Sequence, residues 1–135
     1  MARAKEKTLA LLGSNTVALD AVATTEVVLY TTPTGKKGIP VLVVARTFSE
    51  AVDESVVSLG LGGTACTQFL ATQTLTNITA GFADECLIMQ PIPATTPVAG
   101  MILDAGETFA VEIITAETTG TASCIMDVFG YEYDA

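Results

Sequence analysis

The residues of this sequence that could do chemistry are two carboxylate pairs, Asp53-Glu54 and Asp84-Glu85, three cysteines and five serines. Paired acids suit a hard cation, but neither pair sits in a glycine-containing loop with alternating acids, and neighbours on a strand point to opposite faces. They read as solvated loop charge. Cys66, Cys86 and Cys124 are odd in number, show no CxxC spacing and have no histidine beside them, so no zinc site is expected. They read as small, buried, reduced residues, although spacing alone leaves a Cys66–Cys86 bridge open. Ser14, Ser49, Ser55, Ser58 and Ser123 include neither G-x-S-x-G nor S-x-x-K. A serine nucleophile needs a base, and histidine is absent. Gly60-Leu61-Gly62-Gly63 lacks the Gly-Lys-Ser/Thr of a phosphate cradle and reads as a hairpin or bulge. No catalytic residue, cofactor or metal is expected.

Charge narrows the function further. All six basic residues, Arg3, Lys5, Lys7, Lys36, Lys37 and Arg46, precede residue 47, while the net charge is −9. Nucleic acid needs clustered Lys and Arg, and most of this chain supplies none. Only 16% of residues are charged and 50% are hydrophobic, against ~25% charged in typical globular proteins. Too little charge exists to cover a monomer, so part of the surface should meet a partner. A membrane partner is not expected. The longest dense apolar run, Ile39 to Ala45, contains Pro40 and falls far short of the ~20 residues of a spanning helix. The opening MARAKEK with Leu9 to Leu12 imitates a secretory leader, but Gly13, Ser14, Asn15 and Asp20 break it. With no leader expected, the sequon Asn77-Ile78-Thr79 is given no weight.

The elements follow from composition and punctuation. Threonine, valine and isoleucine favour strands, and turn signals recur at Gly13-Ser14-Asn15, Pro33-Thr34-Gly35, Gly62-Gly63, Pro91 to Pro97, Ala105-Gly106 and Thr119-Gly120. Strands are predicted near 8–13, 16–22, 25–32, 37–48, 55–61, 65–70, 74–80, 85–91, 99–104, 107–115 and 121–133. Many short strands at near-regular spacing predict an all-β fold, an antiparallel β-sandwich or jelly roll over 8–135. The polar, basic segment 1–7 reads as an N-terminal arm. In the last strand, Cys124, Met126 and Val128 share one face, and Ile125, Phe129, Tyr131 and Tyr133 the other, interrupted by Asp127. A strand apolar on both faces is covered on both. Ile39, Val41, Val43 and Ala45 against Leu42 and Val44 repeat the pattern. Lys36 and Lys37 follow a turn and read as a solvated tip or as a basic knob for an acidic neighbour.

The segment Leu29-Tyr-Thr-Thr-Pro-Thr-Gly-Lys-Lys-Gly38, running into Ile39 to Arg46, resembles a turn found in small tailed-bacteriophage and prophage proteins. Thr8 to Gly13, Val17 to Asp20, Leu103 to Phe109, Val111 to Thr115 and Asp127 to Tyr131 are similar to the opening and closing strands of those proteins. The segment from Ser58 to Leu87 departs from them. The resemblance implies a virion β-sandwich of the head decoration or cement type, with a tail, neck or fibre-base part as the alternative. It also implies partners in the major capsid protein or another virion protein. It carries over no catalytic residue.

The expected function is therefore a non-enzymatic protein made in the host cytoplasm that binds the outside of a phage head. It would act as a small homo-oligomer, a trimer preferred because trimers match three-fold shell positions. Arg3, Lys5, Lys7, Lys36, Lys37, Phe129, Tyr131 and Tyr133 are the predicted interface residues. A carbohydrate-binding jelly roll is the alternative of another class. It would turn Phe48, Phe69, Phe82 and the tyrosines toward water.

Overall fold

A computed structural model describes residues 8–79, 84–91, 95, 99–118 and 120–135. The arm predicted at 1–7, with Arg3, Lys5 and Lys7, lies outside the described residues, as does Phe82. Eight strands form among the described residues: β1 (Ala10–Ala18), β2 (Glu26–Thr31), β3 (Lys36–Arg46), β4 (Val56–Leu61), β5 (Leu70–Thr74), β6 (Cys86–Met89), β7 (Thr108–Thr115) and β8 (Ser123–Asp134). They build two four-stranded sheets in the orders β1-β8-β3-β6 and β2-β7-β4-β5, and every pairing is antiparallel. The pairs β1·β8, β2·β7, β3·β6 and β4·β5 are those of one long hairpin wound on itself. Successive pairs therefore alternate between sheets, which is the jelly-roll arrangement of a β-sandwich.

Alternation places the core. Val43, Ala45, Cys124, Met126 and Val128 of the first sheet face Leu29, Val57, Leu59, Val111 and Ile113 of the second, all buried. Phe69 and Phe109 meet edge to face with ring centroids 5.2 Å apart. Each fully buried side chain of this kind contributes ~1.5–3 kcal/mol, so the inward set fixes the register of every long strand. The predicted turns hold at Gly35 (φ +75°), with the Lys36 amide donating to the Pro33 carbonyl, and at Gly106 (φ +85°), with the Glu107 amide donating to that of Asp104. Both glycines take the left-handed conformation that costs other residues energy.

Three expectations change. Strands 8–13 and 16–22 are one strand, because Gly13-Ser14-Asn15 is not a turn: the register against β8 slips between Leu11 and Gly13. A Cβ at Gly13 would lie 2.1 Å from the Leu29 carbonyl oxygen, so the glycine serves close packing of the two sheets. Strands 65–70 and 74–80 give way to β5 between them. Gln68 Oε1 accepts from the amides of Leu61 and Thr67 and holds the preceding residues in a loop, leaving Leu70 to Thr74 to pair. From 99–104 only Leu103 pairs, in an isolated bridge with Gly38.

Candidate assembly interface

Residues directly opposite each other on antiparallel strands point to the same side, so the outer face of the β1-β8-β3-β6 sheet can be read in rows. Leu42, Phe129 and Leu11 form one row, and Ile88, Val44, Asp127 and Ser14 another. Ile39 lies beside Tyr131 and Lys37 beside Tyr133, while Cys86, Arg46, Ile125 and Thr16 close the far end. Phe129, Tyr131 and Tyr133 thus do share a face, opposite Cys124, Met126 and Val128, and each is half-buried. At the margins, Ile88 is 65% and Leu11 53% exposed. Among the described residues, every strand belongs to one of the two sheets, and no third layer of strands covers this one.

The pattern expected for β3 is corrected by a bulge. Register slips between Pro40 and Leu42, so Ile39 leaves the set of Val43 and Ala45 and joins Leu42 and Val44 outside. A β-bulge inserts one unpaired residue and reverses the alternation beyond it. The periodicity of Ile39, Val41, Val43 and Ala45 could not reveal this. Gly130 is the companion feature, since a Cβ there would stand 2.0 Å from the Ile39 carbonyl oxygen.

One buried charge sits within these rows, and it is satisfied. Asp127 is 6% exposed. Its Oδ1 accepts from Ser14 Oγ at 2.6 Å and its Oδ2 from Arg46 Nε at 2.6 Å. Burial pushes the Asp127 carboxyl up, but hydrogen bonds from Arg46 and Ser14 and the guanidinium charge outweigh it, and the net direction is down. A lowered folded value means that the unfolded chain takes up this proton first as pH falls. The stability Asp127 contributes is therefore present above the ordinary carboxylate value of ~3.9 and lost below it. Melting temperature should drop between pH 5 and pH 3, and Asp127→Asn should shrink that drop. An unchanged drop in the variant would show that the pair contributes nothing.

The predicted basic knob is not free. Lys36 Nζ pairs with Asp134 and Lys37 Nζ with Asp104 of the same chain. Tyr30, Phe48 and Phe69 are buried in the core, which removes them from any sugar-stacking platform. The Tyr30 hydroxyl donates to Glu132 at 3.0 Å, and burial together with that bond pushes its pKa up to about 12.

The cysteines divide differently from expectation. All three are free; Cys66 and Cys124 are buried and Cys86 is exposed. Edge position explains this, because among the described strands β6 pairs with β3 alone and Cys86 lies opposite Arg46 on the outer side. Burial pushes the Cys66 and Cys124 thiols up to about 12. A maleimide should therefore modify one thiol per folded chain, at Cys86, and all three after unfolding. Mass spectrometry showing rapid labelling of Cys124 in the folded protein would contradict the assignment of that face to the core.

The acidic loop residues also have a role the sequence hid. Glu117, which is buried, accepts the amide hydrogens of Glu54 and Ser55 on one oxygen, and Glu54 accepts from the Thr118 amide and hydroxyl. With Asp53 they bring ligand oxygens within 4.8 Å of one another. These bonds make the group a clasp between the segment before β4 and the segment after β7. Glu117 lies 63 residues from Glu54, and no local spacing announces such a contact.

The other outer face is different in kind. Glu26 stands opposite Glu112 there, and Cys66 Sγ donates to the Ala110 carbonyl from a loop folded against Gly60. That sheet is acidic and partly covered by its own chain.

No family model matches the sequence, and no curated protein matches it. Among solved structures, the chain is similar to one from the "acidic stable capsid structure of Helicobacter pylori bacteriophage KHP30", with a TM-score of 0.54 and 14% identity over 91% of each chain. The equal coverage means that the two chains are close in length, and what they share is the fold.

Proposed function

We propose that this chain is a structural protein of a bacteriophage virion, in the role of a capsid decoration or cement protein that binds the outside of the head. The observation that carries the reading is the half-exposed apolar face around Phe129, on a jelly roll similar in fold to a chain from a phage capsid. The protein works without catalysis. Its partners are other copies of itself and the major capsid protein. The trimer expected from three-fold shell positions rests on that match alone, and a two-fold self-contact of the outer sheet face replaces it as the arrangement proposed for the free chain.

Its mechanism is mass action. A ligand that binds only the assembled shell stabilises it by RT ln(1 + [L]/Kd), ~4 kcal/mol per site at a concentration of 1,000 Kd. The test is to deplete the protein from particles made by the genome that encodes it, then add it back. Depleted heads should rupture at lower temperature and recover with added protein. Heads that never contained the chain, or that rupture identically with and without it, would remove the reading. A tail or neck component would instead leave heads unchanged and block tail attachment.

A further inference from the structure

We infer that the outer face of the β1-β8-β3-β6 sheet pairs with the same face of a second copy of this chain about a two-fold axis. The inference concerns the face itself and stands apart from the virion reading.

Size is the first argument. Strands ~4.8 Å apart, rising ~3.3 Å per residue, give four strands of roughly eight residues a flat footprint of ~500 Å². Side-chain relief raises the accessible area toward the ~800 Å² per partner of a standard stable interface. Charge is the second argument. The chain carries −9, and its other sheet face presents Glu26 opposite Glu112, so most contacts between copies juxtapose carboxylates. Among the described strand residues, the outer face around Phe129 instead carries Lys37, Arg46 and Asp127 as its charged groups, with Asp104 paired to Lys37 at its margin. It is the face on which two copies meet with least repulsion.

The third argument is self-complementarity. A two-fold contact places residue i of one copy on residue j of the other and the reverse. Asp127 and Arg46 are a ready-made pair of opposite sign within a mostly apolar surface. Asp127 already accepts from Arg46 and Ser14 within its own chain, so covering the pair leaves no carboxylate bare. The half-exposed guanidinium of each copy then lies toward the carboxylate of the other. Burying a hydrogen-bonded pair avoids the penalty of burying a lone charge.

The test uses the full chain. Sedimentation equilibrium at micromolar concentration should give twice the 13.9 kDa chain mass, and association should tighten as salt rises, because screening removes repulsion between two acidic chains. Ile88→Glu and Leu11→Glu, on the two edge strands of the face, should each weaken the dimer by at least ~100-fold, since each buries an unpaired charge in both halves. Ile114→Glu, on the other sheet, should leave it unchanged. Wild-type protein supplies a readout free of folding effects: maleimide should label Cys86 more slowly in the dimer than after dilution to monomer. A monomer at ~100 µM, a trimer, weakening by salt, or Cys86 labelling independent of dilution would each overturn the inference. Particles that contain the chain while it is monomeric in solution would overturn the inference and leave the virion reading standing. A dimer absent from particles would do the reverse.

Discussion

Met126→Ala should leave a destabilised domain, whereas Phe129→Ala should leave a folded one that no longer assembles. The two residues are three apart on β8 and point to opposite sides of the sheet. Met126 is fully buried among side chains of the opposing sheet, and truncating such a methionine costs ~2–5 kcal/mol through lost transfer energy and the cavity left behind. Against a typical total of ~5–15 kcal/mol, that is a large share. Phe129 lies between Leu42 and Leu11 on the outer face. Its ring has solvent on one side in the free chain, so folding depends on it less. At the centre of a covered interface, its loss costs assembly on the order of 2 kcal/mol or more. Thermal melts and sedimentation on both variants read the two effects separately. Equal melting losses with assembly intact would place Phe129 inside the fold and remove the face from consideration.

The second large effect is Gly130→Ala. Gly130 sits where β3 bulges, and its absent side chain lets the Ile39 carbonyl oxygen approach to 2.0 Å from the Cβ position, with Leu12 at 3.0 Å. The nearer atom is backbone and cannot swing away. The substitution must push β3 and β8 apart at the junction of two of the longest strands, so it should cost at least the ~1–3 kcal/mol of ordinary overpacking. It should also disturb Ile39 and Tyr131 outside, because that close approach is where the alternation of β3 reverses. A variant as stable as the parent, by urea unfolding, would show that the two strands have room to separate.

These two cases show what was legible in advance. The division of β8 into Cys124, Met126 and Val128 on one side and Phe129, Tyr131 and Tyr133 on the other follows from period-two alternation, and the structure has it. Pairing of β3 with β8 and the outward shift of Ile39 depend on a bulge, which a one-residue slip creates without any compositional mark. Gly13 looked like a turn because glycine followed by serine and asparagine usually is one; here it admits a neighbouring carbonyl within a strand. The Glu117 clasp and the Ser14–Asp127–Arg46 cluster join residues 62 to 113 positions apart, which only the strand order brings together. Lys36 and Lys37 follow a turn that the sequence marks, but their partners Asp134 and Asp104 come from distant segments.

The most direct measurement is hydroxyl-radical footprinting of side chains, comparing the dilute free chain with the chain in intact particles. The account predicts protection of Leu11, Ile88, Phe129, Tyr131 and Tyr133 in the particle, with Val28 and Ile114 on the opposite sheet oxidised equally in both states. Equal oxidation of Ile88 and Phe129 in both states, or protection confined to Val28 and Ile114, would contradict it.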